Sequence, residues 1–175
     1  MSIHLVLGGA RSGKSTYAEK LASETGLAVT YIATAQVYDD EFGARVQHHK
    51  DRRPEHWKVI EEPHFLSTAL QANIHGGTVV IIDCLTLWLA QCICPECAPP
   101  EGIDWAIERG KFLEILPTIQ ADIILVSNEV GMGIVPLGEI NRQFQDEQGR
   151  LNQAVAAIAD KVSFIAAGLP IQLKG

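Results

Sequence analysis

One stretch constrains this chain more than any other. Gly8, Gly9, Ala10, Arg11, Ser12, Gly13, Lys14 and Ser15 fit the pattern G-x-x-x-x-G-K-[ST] in full. The apolar run before it, residues 3–7, reads as a buried strand. Residues 14–24 after it read as a helix, with Tyr17, Ala18, Leu21 and Ala22 on one face. Strand, glycine-rich turn and helix in that order make an anion site. Glycines let backbone N–H groups wrap a phosphate without Cβ clashes. The helix N-terminus adds its partial positive charge. Lys14 is then placed to reach β- and γ-phosphate oxygens, and the Ser15 hydroxyl to hold Mg²⁺. Arg11 either touches phosphate or is a solvated loop cation; the spacing leaves both open.

The rest of the chain repeats the alternation of short apolar run and helix-period segment. Strands are predicted at residues 28–33, 57–60, 79–83, 123–128 and 162–166. Helices are predicted at 64–73, at 103–120 with Pro117 distorting the last turn, and at 137–160 with an interruption near Gly149. Asp39 or Asp40 can cap a further helix that turns Phe42 and Val46 to the core. Nearly unbroken apolar strands alternating with helices mark a parallel sheet covered on both faces. The expected fold class is therefore α/β, a P-loop NTPase-type three-layer sandwich with a mostly parallel, RecA-like sheet. Its 175 residues, without repeat or linker, read as a single domain, 1–175.

With 47% hydrophobic and 20% charged residues, the chain is not a disordered one. Lys and Arg total 14 against 21 Asp and Glu, a formal charge of −7, which argues against a protein that coats nucleic acid by bulk positive charge. The longest apolar stretch, residues 78–90, is interrupted by Asp83 and falls short of the roughly 20 residues that span a bilayer, so no membrane segment is expected. The N-terminus carries its cations after a short apolar run, the reverse of a secretory signal, and a cytoplasmic protein is expected. Residues 92–102 are rich in Pro and Cys and read as a surface excursion. Cys92, Cys94 and Cys97 are either free thiols there or, with Cys84, part of a zinc site that lacks a second well-spaced pair.

Two further features bear on chemistry. A phosphate loop needs a carboxylate at a neighbouring strand end, and Asp83 closes the most apolar strand, where an unpaired carboxylate would be costly. Capping the helix from Cys84 onward is its alternative task. Against the acidic average, residues 45–58 hold five Lys or Arg, two acids and three histidines. That cluster suits a polyanionic ligand, or is simply a solvated basic helix end. A neutral imidazole can attack phosphorus, with the adjacent cations offsetting repulsion. His48 and His49 are neighbours on one backbone, and the residues alone do not choose between them.

GGARSGKS at 8–15, YIATAQVYDDEFGARVQHHKDRRPEHW at 31–57 and SNEVGMGIVP at 127–136 together resemble the bifunctional adenosylcobinamide kinase / adenosylcobinamide-phosphate guanylyltransferase family. The likeness spans nearly the whole chain. It implies phosphorylation of the aminopropanol hydroxyl of adenosylcobinamide by ATP or GTP, then transfer of GMP from GTP to that phosphate with release of pyrophosphate. It implies a histidine-bound GMP intermediate and names His48 as the nucleophile, with Lys14 beside it in catalysis. By the same match His49, Lys50, Asp51 and Arg52, the segment Ala33, Thr34 and Ala35, and Glu61 contact nucleotide; Glu61 on its own would read as a solvated acid, and Asp83 joins the nucleotide site from its place at the strand end. Ser15 and Asp83 are the implied Mg²⁺ ligands, a corrinoid the implied partner, and a homotrimer the implied assembly. Residues 128–133 follow a strand and are placed for ligand contact, or form a tight connection without one. Three other readings remain open at this level: a small-metabolite P-loop kinase without a guanylyl step, a non-catalytic GTP-binding module, and a guanylyltransferase without kinase activity.

Overall fold

In the computed structural model, which describes residues 1–36, 53–74 and 76–175, the apolar runs pair into one seven-stranded sheet. In chain order the elements are β1 (Ile3–Gly8), α1 (Lys14–Glu24), β2 (Ala28–Ala33), β3 (Lys58–Glu61), α2 (Leu66–Asn73), β4 (Thr78–Asp83), α3 (Leu85–Ile93), α4 (Trp105–Ile115), β5 (Asp122–Asn128), α5 (Glu139–Ile158), β6 (Lys161–Ala166) and β7 (Leu169–Lys174). The strands lie in the order β3-β2-β4-β5-β1-β6-β7. All neighbours are parallel except β6 and β7. The helix expected after Asp39 or Asp40, with Phe42 and Val46, lies outside the described residues.

The two faces of the sheet divide the core as strand alternation requires. Leu5, Leu7, Ile32, Ile82 and Leu125 face one side and pack with Leu66, Leu70, Leu85, Trp88, Phe112, Leu151 and Val155 from α2 to α5. Val6, Tyr31, Ile81, Ile124 and Val126 face the other, against Ala18 and Ala22 of α1 and the buried Trp57. Trp88 anchors the larger face. Its ring lies 4.9 Å from Trp105 and 4.8 Å from Phe112, and its N–H donates to the His64 carbonyl at 2.7 Å. Small alanines on α1 let that helix sit close to the sheet just behind the glycine-rich turn.

Element ends follow local chemistry. Asp104 caps α4 by accepting from Ile107 N at 3.0 Å, so this helix starts at Trp105 rather than residue 103. At its far end Pro117 sits in a 3₁₀ turn, Leu116–Thr118, which is the distortion expected. Glu62 accepts from His64 N and Phe65 N at 2.9 and 2.8 Å and sets the approach to α2, which begins at Leu66. Gly149 does not interrupt α5, contrary to expectation: the helix is continuous over Glu139–Ile158. A mid-helix glycine costs about 1 kcal/mol relative to alanine. Burial of Gln148, Leu151, Asn152 and Val155 on either side offsets it. The seventh strand, β7, is also beyond the sequence reading. It is an edge strand, exposed along its length, with Pro170 in it, so it carries no burial pattern to read.

The functional consequence is a shared edge. Gly8 lies level with Asn128 and Ile165, Asp83 level with Ala33 and Val126, and Ala33 level with Glu61. The carboxyl ends of six parallel strands therefore meet along one crest. In open α/β sheets, this is where ligands bind.

Candidate functional site

The crest is built around the turn from β1 into α1. A side chain at Gly8 would place its Cβ 2.5 Å from the Ile165 carbonyl oxygen and 2.7 Å from Ser12 Oγ, so only glycine fits. Gly13 sits at φ 98°, which favours glycine, and its Cα hydrogens face Gly168; a Cβ there would lie 3.2 Å from Gly168 Cα. Gly168, in the β6–β7 turn, also donates its N–H to the Ser12 carbonyl at 2.8 Å. The hairpin that the sequence reading missed is thus the back wall of the glycine-rich turn. Arg11 is exposed, at φ 55°.

The N-terminus of α1 is left electropositive. Its cap is Gly13, with no side-chain hydrogen bond to the first-turn N–H groups and no acid in the first turn. Nothing in the helix itself offsets the dipole there. Ser12 Oγ is buried and without a partner. Lys14 is only 7% exposed, and its Nζ donates to the Gly9 carbonyl at 2.7 Å. Burial holds its ammonium below the usual lysine range; the nearby Cys84 and Asp83 act in the opposite direction. Lys14 and Asp83, far apart in sequence, are therefore electrostatic neighbours.

Asp83 ends β4, two strands from β1. Its Oδ2 accepts from the Tyr31 hydroxyl at 2.7 Å. Burial, then the Asp83 charge, raise the Tyr31 hydroxyl well above its ordinary range, so it stays a donor. The helix-cap alternative for Asp83 is not what the structure holds: α3 is capped by Cys84, without a side-chain bond. Burial and Asp83 push the Cys84 thiol up to about 12, which makes it inert. Tyr31 stacks on Trp57 at 6.4 Å between centroids, and the Arg53 guanidinium lies 3.7 Å over the Tyr31 ring. Arg53, within the basic segment, thus rests on the residue that orients Asp83. Sequence reasoning missed Tyr31 because it sits inside an apolar strand; only the strand register reveals its partner.

Thr34, just past β2, is fully buried. Its hydroxyl donates to the Cys84 carbonyl at 2.8 Å and accepts from Cys84 N at 2.7 Å, while its own N–H donates to the Asp83 carbonyl. It ties the end of β2 to the start of α3. Gln91 of α3 extends the tie by donating to the Thr34 carbonyl and accepting from Gln36 N. Ala33 and Ala35 flank Thr34 on the same crest. Glu61 closes β3 beside Ala33 and is exposed. Four strand positions separate it from β1, about 19 Å at the usual strand spacing. His48, His49, Lys50, Asp51 and Arg52 lie outside the described residues.

The excursion at residues 92–102 does not assemble a metal site. Among the described residues no cluster of three or more His, Cys, Asp or Glu could hold an ion. Cys92 is buried in the last turn of α3, and Cys94 and Cys97 are partly exposed free thiols. Also among the described residues, no helix is long and apolar enough to cross a membrane.

Comparison with known proteins adds three findings. A family model described as cobinamide kinase / cobinamide phosphate guanyltransferase matches residues 4–173. The bifunctional adenosylcobalamin biosynthesis protein CobP of Pseudomonas aeruginosa is 51% identical over 98% of this chain and 96% of its own length. The corresponding CobU protein of Escherichia coli is 39% identical over 97% and 98%. Among solved structures, the flagellar accessory protein FlaH of Methanocaldococcus jannaschii superposes with a TM-score of 0.53 at 17% identity, covering 99% of this chain and 78% of that one. The RadB recombinase does so at 0.51 and 14%, covering 93% and 73%. At such identities these two speak for the fold alone, and the fold they share with this chain is the RecA-like P-loop sandwich.

Proposed function

The chain belongs to the cobinamide kinase / cobinamide phosphate guanylyltransferase family of cobalamin biosynthesis, and from that premise we propose that one phosphate loop serves both of its reactions through a histidine-bound GMP. The family enzyme is bifunctional, a kinase and a nucleotidyltransferase. The observation that carries the finer reading is the buried Lys14, bonded to the Gly9 carbonyl, at the mouth of an uncapped helix behind a glycine-rich turn that only glycine fits.

In the kinase step, ATP or GTP lies with its phosphates on the backbone of residues 8–15. The aminopropanol hydroxyl of adenosylcobinamide takes the γ-phosphoryl group, and Lys14 neutralises charge as it builds on the transferred and leaving oxygens. In the second step GTP occupies the same loop. His48 attacks the α-phosphorus: a P–N bond forms, the bond to the α–β bridging oxygen breaks, and pyrophosphate leaves while held by Lys14 and the loop amides. A phosphate oxygen of adenosylcobinamide phosphate then attacks the same phosphorus, the P–N bond breaks, and adenosylcobinamide-GDP is released. Arg53 supports this placement. It stands five residues after His48 in the chain and rests on Tyr31, which holds Asp83. Arg53 thereby lies against β2 on the face of the sheet that α1 covers. Ala33, Thr34 and Ala35 offer backbone to the nucleotide, since the Thr34 hydroxyl is occupied. His49, Lys50, Asp51, Arg52 and Glu61 complete its contacts in this reading.

The donor set suits Mg²⁺. Ser15 and Asp83 supply hard oxygens, Asp83 has one carboxylate oxygen committed to Tyr31, and a cation held by two protein groups together with phosphates is the usual magnesium arrangement. When bound, the ion neutralises charge on the phosphates. We further propose a homotrimer working in the cytoplasm, with both reactions in the single domain 1–175. Support for assembly comes from Met132, Ile134, Val135 and Leu137, apolar side chains exposed side by side.

One experiment tests the covalent step. The protein is incubated with GTP labelled at the α-phosphorus and Mg²⁺, and acid-labile label on the protein is measured. Label is expected on the wild type and none on His48→Ala. Absence of label, or label that survives in His48→Ala, overturns the histidine-GMP mechanism and favours a kinase without a guanylyl step.

A further inference from the structure

We propose that Glu129 is the catalytic base of the kinase step, the group that receives the proton of the attacking hydroxyl. This rests on the reading that the phosphoryl donor lies on residues 8–15.

Position in the sheet singles it out. Among the described residues, four carboxylates close or follow the parallel strands at the crest: Glu61, Glu62, Asp83 and Glu129. Glu61 lies at the far edge, four strands from β1. Glu62 is spent on His64 N and Phe65 N at the start of α2. Asp83 accepts from Tyr31, which commits one of its oxygens and leaves it the task of a metal ligand in the proposed function. Glu129 remains. It is one residue past Asn128, which pairs with Gly8, and its own N–H donates to the Gly8 carbonyl at 3.0 Å. β5 lies between β1 and β4, so Glu129 rises from the strand between the phosphate loop and Asp83.

Its backbone is fixed to a degree that a mere connection does not need. Asn128 N donates to Thr86 Oγ1 at 2.7 Å, and the Asn128 carbonyl accepts from Asn152 Nδ2 at 3.0 Å. The Val130 carbonyl accepts from Gln145 Nε2 at 2.9 Å. Behind them Gln148 and Asn152 form a buried set with Ser127 Oγ. Residues 128–130 are therefore held from α3, from α5 and from the phosphate loop itself. The side chain is held too: Oε1 accepts from Gly131 N at 2.5 Å, and a Cβ at position 131 would lie 3.0 Å from that oxygen. No hydrogen bond to Oε2 occurs among the described residues. A carboxylate kept in place beside a phosphate site, with one oxygen open, is what a base for an alcohol nucleophile requires.

The hydroxyl oxygen of the aminopropanol arm bonds to the γ-phosphorus. The bond from that phosphorus to the β–γ bridging oxygen breaks, and the nucleoside diphosphate leaves with the electron pair. The hydroxyl proton passes to Glu129. No such proton exists in the guanylyl step, where the attacking group is already a phosphate oxygen, so the two reactions should depend on Glu129 differently.

That difference is the test. Full-length Glu129→Gln is assayed for phosphorylation of adenosylcobinamide by ATP and, separately, for guanylyl transfer to pre-formed adenosylcobinamide phosphate, with ATP affinity and melting temperature measured alongside. Kinase kcat is expected to fall about 100-fold, with ATP affinity retained and guanylyl transfer within about threefold of wild type. Glu129→Asp and Gly131→Ala, which keep the carboxylate but move it, should give intermediate kinase losses and serve if the glutamine variant does not fold. An unchanged kinase rate, or equal loss in both reactions, overturns the proposal. Kinase activity that survives Lys14→Ala would instead overturn the placement of the donor on the loop, and this proposal with it.

Discussion

Two loops rise from neighbouring strands of the crest, and they are opposites. The phosphate loop after β1 is closed on itself: Lys14 is buried, Ser12 is tied to Gly168, and a glycine stands wherever a Cβ would collide. The segment after β5 begins just as tightly, at residues 128–130, then lets go. Ile134 is 97% and Leu137 96% exposed, with Met132 and Val135 beside them. A single chain gains nothing by presenting those side chains to water. The first loop is complete within one chain, whereas the second has a fixed root and an apolar tip that only another surface can complete. Under the proposals above, chemistry belongs to the root, and recognition or assembly to the tip.

Substitutions can break that contrast. The largest effect is expected at Lys14→Ala, which should lower both phosphorylation and guanylyl transfer by at least about 100-fold, measured by corrinoid product formation, with the melting temperature little changed. Gly8→Ala should come next. Its Cβ meets the Ile165 carbonyl, which cannot swing aside, so a loss of about 1–3 kcal/mol in denaturant unfolding is expected together with nucleotide affinity. Asn152→Ala frees the Asn128 carbonyl and leaves Ser127 and Gln148 short of a partner, and about 1–3 kcal/mol of stability should go with it. Tyr31→Phe removes one bond to Asp83, near 1 kcal/mol, and should raise the Mg²⁺ concentration needed for half-maximal activity. Smallest of all, Ile134→Ser with Leu137→Ser should change unfolding by no more than about 0.5 kcal/mol per site while shifting the mass in light scattering toward the monomer. A double variant that unfolds readily, or keeps its mass, would erase the distinction between root and tip.

Much of the fold was legible before any coordinates. Unbroken apolar runs such as residues 79–82 announce buried parallel strands, and the glycine-rich turn announces where they end. β7 was not legible because an exposed edge strand has no buried face to imprint on its sequence. Gly149 misled for the opposite reason: burial of Leu151 and Val155 overrode a weak local preference. In the site, the glycine-rich turn at residues 8–15 was legible because its pattern is contiguous along the backbone. Asp83 was suspected from its place at an apolar strand end. Tyr31, Thr86, Gln91 and Asn152 carried no signal, since each acts on a partner many positions away.

Contiguous features, then, were within reach of sequence: a phosphate loop, a parallel α/β sheet, the resemblance to a family with two activities. They arise from local backbone geometry and from the periodicity of burial, both written along the chain. What only the tertiary structure decided is how distant groups meet. Strand register sets Asp83 level with Ala33 and Val126, and ties Glu129 to Gly8. The β6–β7 turn presses Gly168 against Gly13. Such pairings depend on which strands become neighbours, and strand order is settled by the packing of the whole sheet rather than by any short stretch of it.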